Sequence, residues 1–116
     1  MENVIKEKSF RFAVRIVKLC QFLRETKNEY TISKQLLRSG TSIGANTAES
    51  RCAQSRPDFV AKLSIALKEA AETDYWLRLL YETDYLTQKQ FVSLMRDCDE
   101  LERLLASIIK TTKTNS

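Results

Sequence analysis

This chain of 116 residues contains one proline and two glycines, and both glycines, Gly40 and Gly44, lie in a single segment. Sandwiches and barrels turn the chain often and draw on Gly, Pro and Asn to do it. So few turn formers point instead to long helices with short connections. A chain of this length forms one domain around a single core.

The glycine-bearing segment is Gln35-Leu36-Leu37-Arg38-Ser39-Gly40-Thr41-Ser42-Ile43-Gly44-Ala45-Asn46-Thr47-Ala48-Glu49-Ser50. Glycine inside a helix costs roughly 0.5–1 kcal/mol relative to alanine, so an isolated peptide of this composition would not be helical. Within a fold, its small side chains let another helix approach closely. Arg38, Ser42, Asn46 and Glu49 follow the i, i+4, i+8, i+11 rhythm of one helix face and form a polar strip. The alternative is a solvent-facing strip beside a flexible loop.

Hydrophobic periodicity places four helices, at about 9–27, 31–53, 57–83 and 87–111. Residues 1–6 and 112–116 are expected to fray. The first helix has apolar residues at Phe10, Phe12, Ala13, Val14, Ile16, Val17, Leu19, Cys20, Phe22 and Leu23, over more than half its circumference. One buried face needs a narrower stripe. The excess is read as a subunit contact, with scattered surface hydrophobes as the alternative.

Thr31 is the expected N-cap of the second helix. Ser55 and Asp58 have capping-box spacing around Pro57, and Thr87 with Gln90 repeat that spacing before the fourth helix. Phe59, Leu63, Ala66, Ala70, Thr73, Leu77 and Leu80 form one seam, and Phe91, Leu94, Cys98, Leu101, Leu105 and Ile108 another. Connections of a few residues make the architecture an all-α, up-down-up-down, left-handed four-helix bundle spanning residues 1–116. Glu69 and Glu72 fall beside the third-helix seam. They are the expected partners of Arg38, one or the other, with Asn46 and Thr73 nearby; the alternative leaves both glutamates solvated.

Histidine is absent. This removes His-dependent acid–base catalysis, the Glu-x-x-His di-iron pattern and most zinc sites. A carboxylate-only site from Glu49, Glu69 and Glu72 is weighed against ordinary solvated or paired glutamates and set aside, so no metal and no cofactor is expected. Gly40-Thr41-Ser42-Ile43-Gly44 lacks the lysine and preceding strand of a phosphate loop. No catalytic residues are assigned, and the expectation is a protein that is not an enzyme. Cys20, Cys52 and Cys98 are read as reduced core thiols of a cytoplasmic protein. The N-terminal residues lack a signal-peptide pattern, and no window is apolar enough to span a membrane.

Charge is distributed unevenly. Residues 1–27 carry seven basic and three acidic groups, residues 57–86 three basic and six acidic. Lys8, Arg11, Arg15 and Lys18 form a stripe along the first helix. Repeated around a ring, it would hold a phosphate backbone through salt-sensitive contacts. On charge alone, a solvated helix face is the competing reading.

The segment 35–50 and Asp58-Phe59-Val60-Ala61-Lys62-Leu63-Ser64-Ile65-Ala66-Leu67-Lys68-Glu69-Ala70-Ala71-Glu72-Thr73 resemble the signature of the four-helix-bundle family named for proteins encoded in intervening sequences of 23S ribosomal RNA genes. Arg38, Ser42-Ile43, Asn46 and Ala48-Glu49 occupy the places of its second-helix pattern; Phe59, Ala66, Glu69 and Glu72 match the third. Gly44 and Ser50 depart from it, standing where many relatives have proline and glycine. That puts the family's kink and helix end in doubt here.

The resemblance implies a small bacterial homo-oligomer, ring-shaped and pentameric. It also implies kinship with the accessory variability determinant of diversity-generating retroelements, which binds nucleic acid and partners a reverse transcriptase. The combined expectation is an RNA- or DNA-backbone-binding homopentamer using Lys8, Arg11, Arg15, Lys18, Arg51 and Arg56. Arg38, Ser42, Asn46, Glu49, Glu69, Glu72 and Thr73 would form its structural polar network. An adaptor for a protein partner such as a reverse transcriptase is the alternative.

Overall fold

A computed structural model describes residues 2–115, so the fraying expected at Met1 and Ser116 lies outside the described residues. Four helices follow in order, α1 (Glu2–Glu25), α2 (Thr31–Ser50), α3 (Arg56–Glu82) and α4 (Gln88–Thr114). Each packs on its neighbours around a four-membered ring, while the diagonal pairs make no close backbone approach. This is the expected four-helix bundle, about 47 Å long.

The boundaries differ from the periodicity in instructive places. Residues 2–6 and 112–114, expected to fray, are helical. The N-terminal turns gain tertiary support because Ile5 is buried in the core. At the other end of α1, Asn28 adopts a left-handed conformation and the Glu29 N–H reaches back to Leu23 O at 2.9 Å. Asparagine here takes the place glycine usually holds in such a helix end.

Thr31 is not the cap of α2. It is the first helical residue, and the Glu29 carboxylate accepts from the N–H groups of Thr31, Ile32 and Ser33 at 3.2, 3.0 and 2.7 Å. Glu29 is buried, and a carboxylate there meets both the orphan donors and the positive end of the helix dipole. The two capping signals at Ser55 and Thr87 form as expected, the second as a full capping box.

The glycines allow α1 and α2 to meet closely. A Cβ on Gly40 would lie 2.8 Å from both γ-carbons of Ile16, and one on Gly44 would lie 3.2 Å from Ser9 O. Around them, Thr41, Ser42 and Thr47 donate to carbonyls one turn earlier in their own helix, so their hydroxyls need nothing from α1. The small-residue segment is therefore a helix interior at a tight helix–helix contact, without a loop.

Candidate nucleic-acid interface

The core claims only part of the apolar width of α1. Ile5, Phe12, Ile16, Leu19, Cys20 and Leu23 face inward, whereas Phe10, Val14 and Val17 point to solvent, Phe10 being 69% exposed. Beside Phe10, a cleft of about 650 Å³ is lined by Lys6, Arg11, Gly44 and Ala48, so α1 and α2 together present an open apolar face. Covering a side chain like Phe10 is worth roughly 1–2 kcal/mol on the usual area scale.

The basic stripe is not a free cationic edge. Lys8 pairs with Glu100 of α4 at 3.2 Å. Arg15 pairs with Asp97 at 2.5 Å and also donates to Ser93 Oγ at 2.9 Å. Arg11 pairs with Glu7 one turn earlier in an exposed contact. Half-exposed and exposed pairs such as these add at most about 1 kcal/mol each to stability. Their larger effect is on the field, since two of the four stripe charges are neutralised by acids that the bundle brings in from α4. Lys18 alone in the stripe has no carboxylate partner among the described residues.

A second basic group is assembled by topology. The N-terminal ends of α1 and α3 meet the C-terminal ends of α2 and α4, where Ile5, Lys6, Ser50, Arg51, Phe59 and Ile108 line one small cleft. Arg56 and Lys113 line a second cleft at the same end, with Pro57 and Val60. Lys6, Arg51 and Lys113 are exposed with no carboxylate partner among the described residues, and Arg56 donates only to the backbone oxygen of Asn115. Asp58 stands nearby, its carboxylate accepting from Gln54 N–H. Arg51 and Arg56 were legible as candidates; Lys6 and Lys113 join them only because antiparallel helices bring opposite chain ends together.

The expected polar network divides. Arg38 grips both Glu69, at 2.9 Å, and Glu72, whose Oε2 also accepts from Trp76 Nε1 at 3.0 Å. The indole N–H first and Arg38 second hold the Glu72 carboxyl below its ordinary range. Arg38 remains half-exposed, so this is a surface clamp across α2 and α3 and not a buried lock.

Ser42 and Asn46 turn back onto their own helix, donating to Arg38 O and Ser42 O. Glu49 pairs with Lys62 instead. The buried link between α2 and α3 is the Thr73 hydroxyl to Ser39 Oγ at 2.9 Å, and periodicity gave no reason to single out Ser39.

Cys20 and Cys98 are buried free thiols, but Cys52 is exposed, so it is not a core residue. Burial pushes the Cys20 thiol up to about 11 and raises Cys98 further, leaving neither a useful nucleophile. The carboxylates that come within metal-ligand reach are Asp74, Asp99 and Glu102, their ligand atoms all within 4.8 Å of one another. They are not the trio weighed from sequence. Burial first, then Asp74 and Asp99, raises the Glu102 carboxyl, while Asp74 is held by Arg78 Nε at 2.6 Å. Among the described residues, no helix is long and apolar enough to cross a membrane.

Comparison with known proteins agrees with this architecture. The family model for 23S rRNA-intervening sequence protein matches residues 1–107. A solved structure of a protein with unknown function from the S23 ribosomal protein family, from Bacteroides thetaiotaomicron, is 58% identical with a TM-score of 0.93; the match covers 94% of this chain and 97% of that one. No match was found among curated proteins. With the fold in agreement and nearly the full length matched, the chain belongs to the 23S rRNA-intervening sequence protein family.

Proposed function

We propose that this protein is a non-enzymatic, self-associating binder of RNA or another polyanion, working in the cytoplasm. The observation that supports it is the group Lys6, Arg51, Arg56 and Lys113 at one end of the bundle, two lining one cleft and two another, with no carboxylate paired to them among the described residues. Phosphate binding needs mobile, solvated cations that can exchange counterions for a backbone. Lys8 and Arg15, already held by Glu100 and Asp97, suit that task less well. Arg11 and Lys18 extend the surface along α1. One copy offers a modest field, and several copies in a pentameric ring would sum it.

The test is RNA retention measured against salt. Arg51→Glu combined with Arg56→Glu is expected to weaken binding and flatten the logarithmic salt slope by roughly 1.5–2, the share of two phosphate contacts. Retention and slope unchanged in that variant would remove this end of the bundle as the binding surface. A second reading, a protein-interaction adaptor such as a reverse-transcriptase accessory subunit, is favoured by the exposed Phe10, Val14 and Val17. Under it, loss of those side chains abolishes partner capture and leaves RNA retention intact.

A further inference from the structure

α4 carries a line of charge separate from the stripe on α1. Lys89, Arg96, Arg103 and Lys110 recur every seven residues, and all four are exposed. Seven residues rise about 10 Å and turn the helix nearly twice, with about 20° of drift, so the four side chains stand in one outward row about 31 Å long. None has a carboxylate partner among the described residues. We infer that this row is the track along which an extended nucleic-acid backbone lies, leading away from the basic end of the bundle. This rests on the polyanion reading above and gives that polyanion a path over the protein.

The row is free although α4 is not short of acids. Asp97 and Glu100 hold Arg15 and Lys8 of α1, and the carboxylates of Asp99 and Glu102 gather with that of Asp74 on α3. The acids of α4 thus lie along its two flanks, against its neighbours, and the midline between them is left to cations. Asp99 shares a shallow cleft with Arg96 and Arg103 but pairs with neither among the described residues. The packing that neutralises Lys8 and Arg15 of α1 therefore leaves the arginines of α4 uncompensated.

Spacing selects the partner. Cations about 10 Å apart cannot converge on one small anion, whereas a chain of phosphates meets them in succession. Neighbours at that distance still reinforce one another at about 0.1 M salt, where the screening length is about 10 Å. Between the cations the row exposes Val92, Ala106 and Ser107, without the large apolar side chains that anchor a helix in a lipid surface. At its C-terminal end, Lys113 shares a cleft with Arg56 of α3, so the row runs on into the group at the end of the bundle.

The experiment is binding of a fluorescein-labelled RNA oligonucleotide as a function of salt. Arg96→Glu with Arg103→Glu breaks the middle of the row, and Arg96→Gln with Arg103→Gln removes the charge without reversing it. Lys34→Glu with Lys68→Glu, at exposed sites on α2 and α3, changes net charge equally but elsewhere. Circular dichroism confirms that each variant is folded. At about 0.1 M salt the α4 reversal is expected to weaken binding roughly ten-fold or more and to lower the logarithmic salt slope by about 1.5–2, the glutamine pair giving the same slope with a smaller loss. The charge-matched control is expected to stay within about two-fold of wild type. Binding in the α4 variants no weaker than in that control overturns the track; a loss confined to Arg51→Glu with Arg56→Glu does the same and leaves the polyanion reading standing. Weaker attachment to equimolar phosphatidylserine–phosphatidylcholine vesicles, with RNA binding unchanged, assigns the row to a membrane and also overturns it. A wild type that binds no RNA overturns both.

Discussion

Adding a single methyl group at Gly40 sets two known effects against each other. Glycine to alanine inside a helix ordinarily stabilises by about 0.8–1.0 kcal/mol. Here the new Cβ would stand 2.8 Å from Cγ1 and from Cγ2 of Ile16, and 3.2 Å from its Cβ. Ile16 is fully buried and branched at Cβ, so turning one branch away swings the other in. Overpacking of this kind costs about 1–3 kcal/mol, and contact with both branches places this case toward the upper end.

The net expectation for Gly40→Ala is destabilisation of about 1–2 kcal/mol, several degrees in melting temperature for a domain of this size. Ile16→Ala alone should cost about 2–5 kcal/mol as a cavity mutation. Once the isoleucine is gone, the alanine at 40 should stabilise by the propensity difference, so its sign reverses between the two backgrounds. Urea unfolding of the four proteins, with unchanged m-values, measures this directly. A Gly40→Ala variant more stable than wild type, or effects that add within about 0.5 kcal/mol, would refute close approach as the reason for glycine at 40.

Glu29→Ala removes a buried carboxylate that accepts three backbone N–H groups, and should cost about 2–3 kcal/mol in chemical unfolding; a loss below about 0.5 kcal/mol would show that water caps α2 equally well. The pH dependence of stability has a sign set by Glu72. Its carboxyl is lowered in the fold, so its contribution is complete above the ordinary carboxylate range and is lost as pH falls through the lowered value. Trp76→Phe, which removes the largest cause of that lowering, should reduce the loss of stability on acidification. Glu102, raised in the fold, acts in the opposite sense. Parallel stability–pH curves for wild type and Trp76→Phe would contradict this assignment.

Much of the architecture was legible because local chemistry wrote it. The seams of α3 and α4 are buried as their spacing indicates, from Leu63 to Leu80 and from Leu94 to Ile108, and the caps at Ser55 and Thr87 form where their spacing placed them. These signals depend on residues three or four apart, which a helix makes neighbours by itself. Arg38 and its glutamates were also readable as a pair across helices, although the structure gives it both partners and leaves it half-exposed.

What the order of residues could not settle was which charges remain free. Asp97 and Glu100 are more than 80 positions from Arg15 and Lys8 in the chain, and only the α1–α4 contact brings them within hydrogen-bond distance. Antiparallel packing likewise gathers Lys6, Arg51, Arg56 and Lys113 at one end, a group no spacing rule connects. Helical period and caps are properties of single segments, whereas a field is a sum over neighbours in space. Sequence alone therefore determined the helices and the bundle, and the packing of those helices decided where an anion could find an uncompensated cation.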